Sequence, residues 1–247
     1  MNYEERVVAY IDILGFKSAI EKSNDDEKEF NRILGTLNEI KRFFIDSHLK
    51  SKEINEFLNA DTQIVQVSDS LIISRLAHES GGIYSLIRDC SFAVHLLISN
   101  GFLCRGAIKV GNMYHNGNTL FGDAFVKAYQ AESQEHLPII KFDSNLLEIA
   151  KDYPLPANIG YRDWEVNEIK PYIKELMTGI HYLDYFTDYD YWVGGDEGSA
   201  SKHYYELRKI LVNGLKNSNN PNIYEKYRWA ADQFNKTAEN YRLDKII

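Results

Sequence analysis

Hydrophobic and polar positions along the chain alternate between strand and helix periods. Residues 6–12 (RVVAYID) make an apolar run of strand length, interrupted by one carboxylate, Asp12. Residues 25–47 carry Phe30, Ile33, Leu34, Leu37, Ile40, Phe44 and Ile45 at helical spacing, behind an acidic first turn. After a polar connection, residues 62–76 (TQIVQVSDSLIISRL) hold two β-rich runs pinched at Ser68-Asp69-Ser70, the pattern of a tight hairpin. An apolar helix is predicted over 82–99, stopped by Asn100-Gly101, and a strand over 102–110. The HNGN at 115–118 turns the chain, and another helix starts around Asp123. A strand over 137–143 and a helix over 144–151 follow.

Beyond Tyr153 the pattern loosens. Residues 180–186 read as a strand and 192–201 as a loop; 203–215 and 223–241 read as helices joined by the turn KNSNNPN. Leu207, Ile210, Leu211, Tyr227, Trp229, Ala230 and Phe234 are too frequent for a solvated tail, and predict helices docked on the core or a partner. The order β-α-β-β-α-β, then turn, helix, strand and helix, predicts an α+β, ferredoxin-like arrangement: an antiparallel-rich sheet covered by helices. The expected division is a core over 1–153 and a helical C-terminal extension over 154–247, packed on that core.

Charge narrows the partners. A formal charge of -8 gives no bulk pull toward nucleic acid or an anionic membrane. No apolar run approaches the roughly 18–20 residues a bilayer span needs. The opening MNYEERVVAY is acidic and lacks the basic start of a signal peptide. Cys90 and Cys104 have no metal-type spacing and are expected to be reduced core thiols. A cytoplasmic protein is expected, without nucleic-acid or membrane partners.

The candidate chemistry starts from Asp12. An ionised carboxylate in an apolar strand is costly unless it is paired, metal-bound or neutralised. Asp69 raises the same problem between QIVQV and LIIS. In a β-α-β-β unit the first strand commonly pairs with the hairpin that follows, so its end and the hairpin tip lie side by side. Two carboxylates there would repel and raise one pKa. A divalent cation removes that conflict, and oxygen ligands suit Mg²⁺ or Mn²⁺. The alternative is that Asp12 caps the next segment and Asp69 is a turn residue.

These residues carry a resemblance. YIDILGF, residues 10–16, resembles the first-strand motif of class III nucleotidyl cyclases, and QVSDSLIIS, 66–74, their second metal motif, with Ser68 in place of a glycine. LCRGAIKVG, 103–111, resembles the strand that follows, and LFGDAFVKAYQAES, 120–133, the helix bearing their Asn and Arg; Gly122 and Glu132 match. The resemblance spans roughly residues 6–143. It implies the cyclase palm fold, with Asp12 and Asp69 as catalytic carboxylates that bind two Mg²⁺ or Mn²⁺ ions, assisted by the Ile13 carbonyl. It implies a nucleoside triphosphate as substrate, phosphate contacts at Gly15, Phe16 and Lys17, and a homodimer with sites built at a head-to-tail interface.

The departures from that family are specific. Its transition-state Asn falls on Val126 and its Arg on Gln130; its base-selecting positions fall on Val65 and Thr119. Arg105 or Lys127 would then supply charge to the phosphates, though each also reads as an ordinary strand or helix cation. Three readings stay open: a divergent cyclase, close to the bacterial pyrimidine cyclases of anti-phage signalling; a nucleotide-binding sensor without turnover; and a scaffold used for interaction.

Overall fold

The computed structural model describes residues 2–46, 61–187 and 197–247. Its first strand, β1 (Glu4–Ile13), is buried on both faces, which accounts for the unbroken apolar run. Val7, Ala9, Ile11 and Ile13 face the main core, while Val8 and Tyr10 face a smaller cluster on the other side. Arg6 and Asp12 belong to this second face by alternation. Helix α1 (Phe16–Ser23) follows, then α2 (Glu27–Lys41), whose N-cap Asp26 accepts from the amides of Lys28 and Glu29. The helix expected over 25–47 passes into a π-helical turn at Arg42–Asp46, and residue 47 lies outside the described residues.

Strands β2 (Gln63–Val67) and β3 (Ser70–Leu76) form the expected hairpin. Helix α3 (Gly82–Ser99) is buried almost all round because it lies between the sheet and a C-terminal helix. It stops at Asn100-Gly101, where Gly101 takes φ +83°. Arg32 secures that stop by donating to the Asn100 carbonyl at 2.8 Å and stacking 3.9 Å over Phe102.

Strand β4 (Cys104–Asn116) runs six residues beyond the expected end at 110, and Thr119–Gly122, read as the lead into a helix, is strand β5 paired back onto it. Glycine permits the return: a Cβ at Gly122, φ +139°, would meet the Met113 Cα at 2.5 Å. Helix α4 (Asp123–Ser133) then lays Ala124 and Ala128 over the second face. Strand β6 (Ile140–Phe142), α5 (Leu146–Asp152), α6 (Trp164–Ile169), β7 (Ile173–Glu175) and β8 (His181–Leu183) complete the sheet and its cover.

The sheet order is β2-β3-β1-β4-β6-β8-β7, with β5 beside β4. Pairs β1·β3, β1·β4 and β2·β3 are antiparallel, whereas β4·β6 is parallel. The first four strands thus take the ferredoxin-like order, in an α+β fold with a mixed sheet covered by helices. Residues beyond 153 contribute β7 and β8 to this same sheet.

Helices α7 (Glu197–Asn217) and α8 (Pro221–Phe234) form the helical C-terminal part. The loop expected over 192–201 is helical from Glu197 onward, and 192–196 lies outside the described residues. Leu207, Leu211, Ala230 and Phe234 are fully buried in the main core, with Ile210, Tyr227 and Trp229 packed against it. His95 of α3 meets His203 of α7 edge-on at 4.7 Å, and burial pushes the His95 imidazole down to about 3. The hairpin closes tightly at Gly214, where a Cβ would come within 2.2 Å of the Tyr227 ring. Cys90 and Cys104 are both buried. Among the described residues no helix is long and apolar enough to cross a membrane.

Candidate active site at the end of the first strand

Strand alternation places Asp12 last on the second face, opposite Ser70 of β3 and Arg105 of β4. The next residue ties the strand end to the hairpin tip, since the Ile13 amide donates to the Asp69 carbonyl at 3.0 Å. Tyr10 and Ser70 share a hydroxyl hydrogen bond of 2.7 Å just inside that tip. Ser68 and Asp69 form the two-residue turn between Val67 and Ser70. Ser68 takes φ +56°, a left-handed conformation that a glycine would adopt without strain.

Arg105 organises the charges around Asp12. Its Nη2 lies 3.7 Å from Asp12 Oδ2, and its Nε lies 2.5 Å from Glu132 Oε1. Its Nη1 donates to the Glu135 carbonyl at 3.0 Å. The Glu135 carboxylate pairs in turn with Lys141 at 3.1 Å. Lys226 of α8 lies within electrostatic reach of Asp12, Glu132, Glu135 and Arg105.

Arg105 and Lys226 do not fully offset what acts on Asp12. Burial, then Glu132 and then Asp69 push the Asp12 carboxyl up to about 7, against the opposing pull of Arg105 and Lys226. Burial raises Glu132 as well, despite its ion pair. Burial and Arg105 lower Lys226. Asp12 is therefore a carboxylate that gains from a further cation. Among the described residues, no three His, Cys, Asp or Glu side chains converge as a metal cage. A divalent ion at Asp12 and Asp69 would take its remaining ligands from the backbone, water or substrate, which suits the hard, oxygen-seeking Mg²⁺ and Mn²⁺.

The other expected residues divide. Gly15 caps α1 with φ +77°, in open space. Phe16 is buried against Phe102, ring centres 6.2 Å apart, so only its backbone is available to a ligand. The Lys17 side chain is 91% exposed and lies 4.0 Å from Glu21. Lys127 pairs with Asp123 at 2.5 Å on the outer face of α4.

Thr119 sits at the opposite end of β4 from Arg105, roughly 35 Å away by strand rise, and is not brought to Asp12 within the protomer. Val65 is buried in the second-face cluster, while Val126 and Gln130 are exposed on α4. Sequence reasoning missed Lys226, Glu135 and the Tyr10–Ser70 contact. For Lys226, in an amphipathic helix 214 positions after Asp12, no local signal existed.

A scan of protein-family models returned no match, and no curated protein matched. Solved structures did match in part. The adenylyl cyclase CyaB from P. aeruginosa is 16% identical with a TM-score of 0.40, over 61% of this chain and 82% of that one. A bacterial light-regulated adenylyl cyclase is 15% identical with a TM-score of 0.40, over 59% and 79%. The catalytic core of a rhodopsin-guanylyl cyclase with converted specificity, in complex with ATPalphaS, is 14% identical with a TM-score of 0.41, over 74% and 97%.

Proposed function

We propose that this protein is a divergent nucleotidyl cyclase that converts a nucleoside triphosphate to a 3′,5′-cyclic nucleotide and pyrophosphate. The observation that carries the reading is the approach of Asp12 and Asp69, tied by the Ile13 amide to the Asp69 carbonyl, with Asp12 raised by burial, Glu132 and Asp69. Asp12, Asp69 and the Ile13 carbonyl would hold two Mg²⁺ or Mn²⁺ ions. Bound there, the ions supply charge neutralisation of the triphosphate and an easier loss of the 3′-hydroxyl proton.

The chain's own residues orient the reactants. In this reading the 3′-oxygen bonds to the α-phosphorus beside Asp12 and Asp69, its proton passes to solvent water, and the bond to the bridging oxygen breaks as pyrophosphate leaves. Backbone amides at Gly15, Phe16 and Lys17 receive phosphate oxygens. Arg105, held by Glu132, limits the negative charge beside Asp12. Lys127 faces outward and is available only to a partner's site.

The working unit in this reading is a homodimer. Phe121, Val126 and Tyr129 are about half exposed on β5 and α4, with Tyr3 and Tyr114 packed on Phe121. This aromatic face suits a second copy. Thr119, remote from Asp12 in its own protomer, would reach the partner's site. With Val65 buried and Thr119 small, the purine-reading side chains are missing, which favours a pyrimidine base and a place beside the cyclases of anti-phage signalling. The division into a core over 1–153 and an extension over 154–247 belongs to the same proposal.

Purified protein with Mn²⁺ should release pyrophosphate from at least one of ATP, GTP, CTP and UTP. Asp12→Asn and Asp69→Asn should abolish that release with the fold intact. The non-catalytic sensor reading draws on Val126 and Gln130, which lack the transition-state donors. It predicts triphosphate binding without product, lost in the same variants.

A further inference from the structure

A cavity of about 890 Å³ opens one residue beyond Ile13, between the β1–α1 turn and the α7–α8 hairpin. Leu14, Gly15, Ser18 and Lys22 form one wall, while Lys209 and Lys226 stand on the other. That volume is within the range of small-molecule sites. Its charge is unusual for this chain: Lys22, Arg32, Lys209 and Lys226 outnumber Glu29 and Glu206 in the lining of a protein with net charge -8.

Most of these cations are committed. Lys22 lies 3.6 Å from both Asp26 and Glu29, Arg32 pairs with Glu29, and Lys209 pairs with Glu206 at 3.2 Å. Lys226 is different. It lines the cavity and also feels Asp12, Glu132 and Glu135, so it stands between the cavity and the carboxylate cluster. The last turns of α7 add Asn213 and Asn217, and the turn before α8 adds Asn219, side-chain amides that can donate to phosphate oxygens.

We propose that this cavity holds the phosphate chain of the nucleotide, and that Lys226, supplied by the same chain's C-terminal hairpin, binds its outer phosphates. The proposal rests on the cyclase reading and adds a binding residue to it. With the nucleotide's inner phosphate at the Asp12–Asp69 end, its anionic tail extends toward Lys226. The hairpin thereby provides in one protomer the positive charge that Gln130 does not.

The test uses inorganic tripolyphosphate in EDTA, by titration calorimetry, so that neither metal nor base contributes. Wild type should bind it. Lys226→Gln should weaken binding about tenfold or more, and Lys226→Arg should restore most of it. Lys236→Gln, an equal loss of charge elsewhere on the C-terminal part, should leave binding unchanged, and Asp12→Asn should retain it. Circular dichroism and melting temperature check that each variant is folded.

The two ideas fail separately. Tripolyphosphate binding that falls in Lys226→Gln, without turnover of any nucleotide, would support the cavity and sink the cyclase reading. Turnover with KM and kcat unaltered by Lys226→Gln, or wild type that fails to bind tripolyphosphate, would overturn the cavity assignment and leave the cyclase reading standing.

Discussion

On one face of strand β1, Arg6 near its start and Asp12 near its end are charges treated in opposite ways. Arg6 is fully buried yet surrounded by acceptors: Ser74 Oγ at 3.0 Å, Glu4 at 2.7 Å, Asp61 Oδ2 at 2.6 Å and the Asp61 carbonyl at 2.8 Å. Ser74 is itself bonded to the buried His115 at 2.8 Å. Asp12 is more open, with its side chain 19% exposed, yet burial and the charges of Glu132 and Asp69 raise its carboxyl against the pull of Arg105. A buried charge with complete partners fixes a strand in place; a half-buried one raised by like charges is a candidate functional group.

The comparison breaks most sharply in activity. If the protein works as proposed, Asp12→Asn should cut nucleotide turnover to about one-thousandth or less, since loss of a proposed metal-holding carboxylate would remove several kcal/mol of transition-state stabilisation. Melting without metal should show a fold at least as stable as wild type, because the substitution relieves repulsion from Glu132 and Asp69. Arg6→Met should do the reverse. It should cost about 3 kcal/mol in urea unfolding by stranding Asp61 and Ser74, with residual activity scaling with the folded fraction.

A third test is pH. The folded-state pKa of Asp12 lies above its unfolded value, so metal-free protein binds the extra proton when folded. That contribution is fully present below about pH 4 and is lost as pH rises through about 7. Chemical denaturation should show wild type losing on the order of 2 kcal/mol more than Asp12→Asn across that window. Metal should invert the trend, because the ion binds the ionised form. The Mn²⁺-induced rise in melting temperature should be larger at pH 8 than at pH 6.

The smallest effect is expected at the turn. Ser68→Gly should stabilise by about 0.5–1 kcal/mol by removing left-handed strain, seen as a modestly higher melting temperature. Activity should be retained, which would separate a turn residue that only shapes the tip from Asp69 beside it.

What could be read in advance follows from locality. The run from Val7 to Ile13, the pinch at Ser68-Asp69 and the stop at Asn100-Gly101 are patterns carried by adjacent residues, and each marks the element found there. The adjacency of Asp12 and Asp69 followed from the β-α-β-β order. β4 was cut short because Gly111, Asn112 and Asn116 look like loop residues; its last third is held by pairing with Glu4, Glu5 and β5, which no local pattern reveals. Phe16 lay in a turn motif, and only the core decided that its ring points inward. Lys226 comes within electrostatic reach of the carboxylates through the packing of two late helices, so its place became visible only with the fold assembled.

The contact between Gly214 and the Tyr227 ring has a genetic consequence. Any side chain at 214 forces the Tyr227 ring out of its place in the α7–α8 crossing, and Lys226 is the neighbour of the displaced tyrosine. A selection for inactive alleles should therefore return changes at 214 alongside those at Asp12 and Asp69. They would map to a helix crossing on the wall of the proposed phosphate cavity, away from Asp12 and Asp69, and suppressors should arise at Tyr227 as smaller side chains that let the hairpin close again.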